Sequence, residues 1–271
     1  MDQSAIKELQ KAELGRIISQ ALSEQLTTTP LVAVPDSFSI KSLEQYMPNL
    51  ANYRGAFSTP SLKDFRLYNT EFSQAGAKCF VNGDAMSAKT IFDLGDVVAP
   101  LHKEHTANIK LERTSAYKAL LNNNDTVNDQ KEMANFLEDW TDYISASSMT
   151  GESMTTAQAA KALRDMTIES AREINSNVQD YGETLSAMER IEAKNKDLLP
   201  NFITFTCRPY NDLKEYQFKL RLSVLTSFDK PKISCRIIQL EQLQEDMVQE
   251  FKSLIEDAII ETDIEVFIGN F

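Results

Sequence analysis

The chain has 271 residues and a formal net charge of −12, and 42% of its residues are hydrophobic. This composition supplies enough apolar side chains for a large core, which excludes a disordered chain. No apolar run approaches the ~20 residues that a membrane span needs, and the N-terminus lacks the basic and apolar regions of a signal peptide. Three widely separated cysteines, Cys79, Cys207 and Cys235, are typical of reduced thiols. The sequence therefore predicts a cytoplasmic protein without membrane association.

The N-terminal half of the chain predicts a mixture of helices and strands. An amphipathic helix is expected over residues 1–28, with Ser4 as its N-cap. Thr59-Pro60 is typical of another helix start. The stretch 145–153, rich in Ser, Thr and Gly, indicates a linker. Further strands are predicted at 31–34, 78–82, 90–94 and 108–112, and further helices at 42–47, 115–121, 128–144 and 155–166.

The C-terminal half contains the clearest pattern. Residues 215–225 alternate strictly between apolar and polar side chains, which predicts an antiparallel strand with one buried face. The other elements expected here are strands at 202–207, 233–240 and 264–268, a hairpin of 168–178 with 183–193, and an amphipathic helix at 240–260.

These elements predict an α+β fold. An antiparallel β-meander sheet in the C-terminal half is packed by an amphipathic helix, and the N-terminal half is mixed α/β. A parallel nucleotide-binding sheet is not expected, because the pattern lacks regular β-α-β alternation. We divide the chain into an N-terminal helix (1–28), a mixed region with an acidic helix (29–150), and a sheet with a C-terminal acidic helix (151–271).

Negative charge is concentrated in two stretches. Residues 125–142 contain six acids and one lysine, and residues 241–265 contain nine acids and one lysine. A dense field of one sign can attract an oppositely charged partner, although acids on an outer helix face commonly serve solubility alone. Both interpretations stay open at the level of sequence. The candidate partner-binding residues are Glu241, Glu245, Asp246, Glu256, Asp257, Glu138, Asp139 and Asp142.

The residues offer little support for catalysis. His102 and His105 are the only histidines, and an extended chain after Pro100 would turn their side chains to opposite sides. We interpret them as two polar residues in a loop or an edge strand. The sequence also lacks a glycine-rich phosphate loop, a nucleophile elbow and a third metal ligand. We therefore expect no enzyme activity, no catalytic residues, no cofactor and no metal.

Direct nucleic-acid binding is not expected from composition, because the pI is about 4.8 and phosphate-binding surfaces are usually basic. Lys219 and Arg221 form the alternative nucleic-acid-binding face, since they share the polar side of the 215–225 strand. Tyr216 and Phe218 fall on its apolar side, so core packing explains them better than base stacking.

Several short motifs follow one another along the chain: PLVAVPD at 30–36, SLE at 42–44, YRG at 53–55, the segment from Asp64-Phe65 to Tyr68, Glu104-His105, Phe136-Leu137-Glu138-Asp139 and Leu220-Arg221-Leu222. Their order resembles that of the YfdQ-like family of phage and prophage proteins. The stretch 111–117 departs from the family pattern because it lacks tryptophans. The resemblance spans nearly the whole chain. It implies a phage or prophage origin and an early-gene role outside the virion, and it implies no particular reaction.

We therefore expect a non-enzymatic interaction protein of phage origin, acting on a macromolecular partner in the cytoplasm of the host bacterial cell. Its acidic surface is the expected contact, and modulation of a host factor or a defence system is the expected outcome. One alternative is an accessory factor in phage DNA metabolism that binds single-stranded nucleic acid, and another is a self-assembling structural protein. A homo-oligomer is also expected, because an amphipathic N-terminal helix must bury its apolar stripe.

Overall fold

The structure of the chain is a computed structural model, which describes residues 3–23, 44, 48–50, 52–147, 153–165, 202–225 and 231–271. The chain forms two compact units, Met1–Asn52 and Tyr53–Phe271. The first contains α1 (Gln3–Ser23), a helix in the predicted place. Ser4 lies inside α1 rather than at its N-cap. The elements predicted at 31–34, 168–178 and 183–193, and most of 42–47, lie outside the described residues.

Helices and strands alternate irregularly along the second unit. Its described helices are α2 (Leu62–Glu71), α3 (Ser115–Asn123), α4 (Gln130–Asp139), α5 (Thr156–Arg164) and α6 (Leu240–Ile259). Its described strands are β1 (Gly55–Thr59), β2 (Lys78–Asn82), β3 (Ser87–Ile91), β4 (His105–Lys110), β5 (Thr126–Asp129), β6 (Ile144–Ser147), β7 (Ser153–Met154), β8 (Phe202–Cys207), β9 (Tyr216–Leu225), β10 (Lys232–Ile237) and β11 (Glu265–Ile268). Two mostly antiparallel sheets with these helices confirm the predicted α+β class.

The first sheet has the strand order β1-β4-β3-β2-β11. Strands β4, β3 and β2 are antiparallel, whereas the outer strands β1 and β11 run parallel to β4 and β2. Helix α2 covers one face, because Tyr68 stacks on Phe57 of β1, with ring centroids 4.5 Å apart. We call this the inner face. Its buried side chains are Cys79, Val81, Ala88, Thr90, Ala107 and Ile109.

The second sheet is antiparallel, with the order β10-β9-β8-β6-β7. Strand β9 confirms the alternation predicted for 215–225, since its apolar side chains from Tyr216 to Val224 are buried and Gln217, Lys219 and Arg221 are exposed. Both sheets combine strands from either side of residue 150. The division of the chain at residues 28 and 150 stays a prediction.

Two element boundaries near α2 and α4 differ from the sequence prediction. Ser61, not Thr59, is the N-cap of α2: its hydroxyl accepts a hydrogen bond from the Asp64 N–H at 3.2 Å, and Thr59 ends β1. The predicted helix 128–144 is shorter, because α4 ends at Asp139.

The shorter α4 has a physical explanation. Trp140 and Ile144 continue the helical spacing of apolar residues, which suggested a longer helix. In the structure a 3₁₀ turn at Thr141–Tyr143 redirects the chain into β6, which pairs with β8. The first part of the predicted linker 145–153 is therefore a strand. Strands β3 and β4 likewise begin three residues before the predicted 90–94 and 108–112.

Helix α6 confirms the predicted C-terminal helix and supplies part of the core. Met247, Phe251 and Ile255 are buried, and the helix packs against α2. This burial leaves Glu241, Glu245, Glu256 and Asp257 of the helix exposed to solvent. Although α1 and α6 have 21 and 20 residues, no described helix is apolar enough over its length to cross a membrane.

Candidate partner-binding cleft

A cavity of about 490 Å³ lies between the first half of α6, the turn that joins β2 to β3, and the start of α3. Two predicted partner-binding residues, Glu241 and Glu245, border it and therefore lie at a concave surface. The complete lining is Gly83, Asp84, Met86, Arg113, Tyr117, Tyr210, Glu241, Gln244, Glu245, Met247, Val248 and Gln249.

The turn between β2 and β3 passes close to α6. The Asn82 side chain accepts a hydrogen bond from the Ala85 N–H at 3.1 Å, and the Met86 N–H donates to the Gly83 carbonyl at 3.0 Å. A Cβ atom on Gly83 would lie 2.4 Å from Cγ1 of Val248. The close approach of turn and helix therefore requires a glycine here.

On the other side of the cleft, hydrogen bonds join the start of α3 to the residues that follow β8. The Thr114 hydroxyl caps α3 by accepting from the Tyr117 N–H at 3.3 Å, and it donates to the Arg208 carbonyl at 2.6 Å. The Thr114 N–H donates to the Pro209 carbonyl at 3.0 Å. These bonds bring Arg113 beside Tyr210, with which it forms an isolated β-bridge.

Two tyrosines form the floor of the cleft. Tyr117 and Tyr210 are buried, and their ring centroids are 6.1 Å apart. Burial raises the pKa of the Tyr117 phenol, and a hydrogen bond with Gln244 partly opposes this change. A hydrogen bond with Tyr210 raises the pKa of the Arg113 guanidinium. At neutral pH the Tyr117 phenol is therefore uncharged and Arg113 is positive.

Carboxylates dominate the rim of the cleft. Asp84, Glu241 and Glu245 oppose the single guanidinium of Arg113. Among the described residues, no three His, Cys, Asp or Glu side chains converge closely enough to hold a metal ion. Asp84, Glu241 and Glu245 therefore form no such cluster. This arrangement suits an extended cation, such as a lysine or arginine side chain whose stem packs on apolar surface.

The other predicted acids of α6 lie outside the cavity lining. Asp246, Glu256 and Asp257 are exposed, and Asp246 accepts a 3.5 Å hydrogen bond from Gln242. Glu250 has a structural role instead: it accepts hydrogen bonds from the Tyr216 hydroxyl at 2.6 Å and the Lys214 N–H at 2.8 Å.

The acids near α4 do not join this cleft in one site. Glu138 accepts two hydrogen bonds from Arg164 of α5, at 2.5 and 2.6 Å, and this contact lowers its pKa. Asp139 and Asp142 are exposed at the end of α4 and in the following turn. Because α4 packs on α5 whereas α6 packs on α2, the two acidic groups belong to different helix pairs.

The alternative nucleic-acid-binding residues lie on the polar face of the second sheet. Lys219 and Arg221 are both exposed on β9. Thr204 of β8 is the cross-strand neighbour of Lys219, and Arg236 of β10 is the cross-strand neighbour of Arg221. The Nε atom of Arg236 also lies 4.0 Å from the Oδ1 atom of Asp125.

The structure corrects the interpretation of His105. This residue begins β4, which lies between β1 and β3, and its side chain is buried among aromatic rings. Its Nε2 atom is 3.1 Å from the Tyr68 hydroxyl. Burial lowers the pKa of His105, and nearby Asp93 partly offsets this effect. His102 is exposed in the preceding loop, as expected.

Sequence reasoning identified only part of the cleft. Glu241 and Glu245 stood out by local charge density, whereas Asp84, Arg113 and Tyr210 did not stand out as site residues. These three come from widely separated positions and meet through sheet pairing and the Thr114 contacts. The dipeptide Asn82-Gly83, which is typical of a tight turn, is the local sequence signal next to Asp84.

Comparison with known proteins gives a family but no relative of known function. A family model described as an uncharacterized conserved protein (DUF2303) matches residues 3–271. No curated protein and no solved structure matches the chain. Because the family model covers nearly all of the sequence, this chain belongs to the DUF2303 family of uncharacterized conserved proteins.

Proposed function

We propose that this protein is a non-enzymatic interaction protein that binds a basic segment of a protein partner in the cleft beside α6. The observation that carries the proposal is the position of Glu241 and Glu245. Together with Asp84, they surround a cavity of about 490 Å³ that has buried tyrosines at its floor. A helix face that served solubility alone would need no such cavity.

The chemistry of the cleft favours a lysine or arginine side chain from the partner. The rim carboxylates attract the charged group, and Met86 and Met247 offer apolar contacts to its stem. The tyrosine rings offer faces for cation–π contacts. Negative charge elsewhere on α6, including Asp246, Glu256 and Asp257, raises the rate of encounter with a basic partner without touching it.

The biological setting is also part of the proposal. The order of motifs that resembles the YfdQ-like family supports a phage or prophage origin. On this basis the protein acts in the cytoplasm of the host bacterium, where its partner is a host factor or a component of a defence system.

The experiment measures binding of a fluorescein-labelled oligo-arginine peptide by fluorescence anisotropy. The wild-type protein is expected to bind, and affinity falls steeply as salt shortens the Debye length from ~10 Å at 0.1 M to ~3 Å at 1 M. The double variant Glu241→Lys with Glu245→Lys is expected to bind at least about tenfold more weakly, equivalent to about 1.4 kcal/mol.

A matched control distinguishes the effect of the cleft carboxylates on binding from the effect of the net charge. Glu256→Lys with Asp257→Lys makes the same change in net charge at the other end of α6, outside the cavity lining. It is expected to weaken binding less than about threefold, because distant exposed charges are screened. Equal losses in both double variants would mean that the cleft has no special role.

A second candidate function is an accessory role in phage DNA metabolism through single-stranded nucleic acid. The supporting observation is the placement of Arg221 directly opposite Arg236, next to Lys219. The carboxylate of Asp125 lies 4.0 Å from the Arg236 guanidinium, and a bound phosphate would offset the repulsion that remains between the two arginines. Loss of oligonucleotide binding in Lys219→Glu with Arg221→Glu would support this candidate.

A further inference from the structure

The outer face of the first sheet, opposite α2, has an unusual composition for this acidic protein. One row of neighbouring side chains crosses all five strands in register, because successive cross-strand partners share a face. It contains, in order, Phe267, Phe80, Lys89, Asn108 and Ser58. The row thus passes from aromatic rings through a cation to hydrogen-bonding side chains.

Aromatic rings stand at one end of this face. Phe80 stacks with two others: its centroid is 5.7 Å from that of Phe267 and 4.6 Å from that of Phe271, with interplanar angles of 24° and 28°. Phe267 is 45% exposed and Phe271 is 55% exposed. Ile91 and Thr106 of the same face are buried, so the exposed part of the face is the end with the rings. A group of partly exposed apolar rings is a common mark of a binding site.

Two lysines contact the exposed rings. The Lys103 Nζ atom lies 4.6 Å from the Phe271 centroid, and the Lys78 Nζ atom lies 5.7 Å from the Phe267 centroid. Lys89 is the cross-strand neighbour of Phe80, and Lys110 lies one row further along the same face. Among the described strand residues of this face, Glu265 is the one acid, and it pairs with Lys78.

We propose that this outer face binds single-stranded nucleic acid. Exposed aromatic rings stack on bases irrespective of sequence, and lysines contact the phosphates that link them. A duplex hides the faces of its bases, so the rings favour a single strand. An acidic peptide could satisfy the lysines but would leave the rings without a flat partner. The net charge of −12 limits non-specific binding of nucleic acid to the rest of the protein surface.

This site is separate from the acidic cleft and from the Lys219–Arg221 face of the second sheet. It does not depend on the function proposed above, because a protein can hold a basic partner in the cleft and a nucleic-acid strand on the first sheet. Its residues come from β2, β3, β4 and β11 and the segments beside them.

The test measures binding of the full chain to a fluorescent oligothymidine of about 15 nucleotides, within the range that comparable sheet surfaces accommodate. We expect binding at low salt, with a log–log salt slope of about −2 if Lys89, Lys103 and Lys110 contact phosphates. Phe267→Ala and Phe271→Ala should each weaken binding about fivefold or more. Lys89→Glu should weaken binding and make the slope shallower by about 0.7.

Matched controls come from α2, which lies on the other side of the sheet. Leu67→Ala removes an exposed apolar side chain, and Lys63→Glu reverses an exposed charge. Both variants should bind oligothymidine within about twofold of the wild-type affinity, since neither side chain lies on the outer face. Circular dichroism and thermal melting establish that every variant is folded.

Several results would overturn the proposal. One is the absence of binding at low salt. Another is binding that survives both phenylalanine substitutions, or that is equally strong for a duplex or displaced equally well by poly-glutamate. Loss of binding caused by Lys219→Glu with Arg221→Glu, but not by the first-sheet variants, would mean that the oligonucleotide binds to the second sheet instead.

Discussion

Arg221 and Arg236 are direct cross-strand neighbours on the polar face of the second sheet, while the adjacent residue Leu222 points into the core and is 4% exposed. Two guanidinium groups in such a pair repel each other. Replacement of one by a carboxylate would convert repulsion into attraction.

The first prediction compares these neighbouring positions. Leu222→Asp should destabilise the fold by ~3 kcal/mol or more, because it buries an unpaired charge. Arg221→Asp should be neutral or stabilise the fold by up to about 1 kcal/mol, since it creates an opposite-charge pair. Urea denaturation measures both free energies of unfolding. Similar losses in the two variants would contradict the observed alternation.

The second prediction concerns the turn beside the cleft. Gly83→Ala should destabilise the fold by about 1–3 kcal/mol, because its Cβ atom would overlap Cγ1 of Val248. Val248→Ala, added to Gly83→Ala, should recover part of that loss by removing the overlapping methyl group. A double-mutant cycle by thermal or chemical unfolding gives the coupling energy. Strict additivity would mean that the turn and α6 do not approach as closely as described.

The third prediction concerns pH. Burial lowers the pKa of His105 in the folded protein, while the unfolded chain keeps a value near 6.5. Below that value the unfolded state binds a proton that the folded state does not, so stability falls as the pH drops from 7 towards 5. His105→Gln, which cannot titrate, should make this fall smaller, by about 1.4 kcal/mol for each unit of pKa difference.

The matched control for this pH effect is His102→Gln. His102 is exposed in the loop before β4, so His102→Gln tests whether replacement of any histidine by glutamine is enough to change the melting profile. Thermal melts of the three proteins across this range provide the comparison. An unchanged slope in His105→Gln would show that His105 is not the group responsible.

The fourth prediction concerns self-association through α1. Ile6 and Leu9 are 40% and 64% exposed on this helix, and a second copy of the chain could bury them. Light scattering should therefore give a mass above the 30.6 kDa of one chain. Deletion of residues 1–28 should reduce the mass to that of a monomer. A monomer before and after deletion would refute the homo-oligomer.

The sequence by itself determined the elements whose side-chain periodicity is local. The alternation of β9 and the stripe of Met247, Phe251 and Ile255 in α6 follow from neighbours within a few residues, so pattern alone located them. The same reasoning placed Lys219 and Arg221 on the exposed side of β9. It also predicted the α+β class of the fold.

Only the tertiary structure decided which distant segments meet. The parallel edges formed by β1 and β11, the burial of His105 and the meeting of Asp84, Arg113 and Tyr210 with α6 depend on contacts between residues far apart in the chain. The local patterns of β9 and α6 indicate which face of each element is buried, but not which strand or helix buries it. The packing of the complete core determines which segments pair, and a short window of sequence contains no information about those long-range contacts.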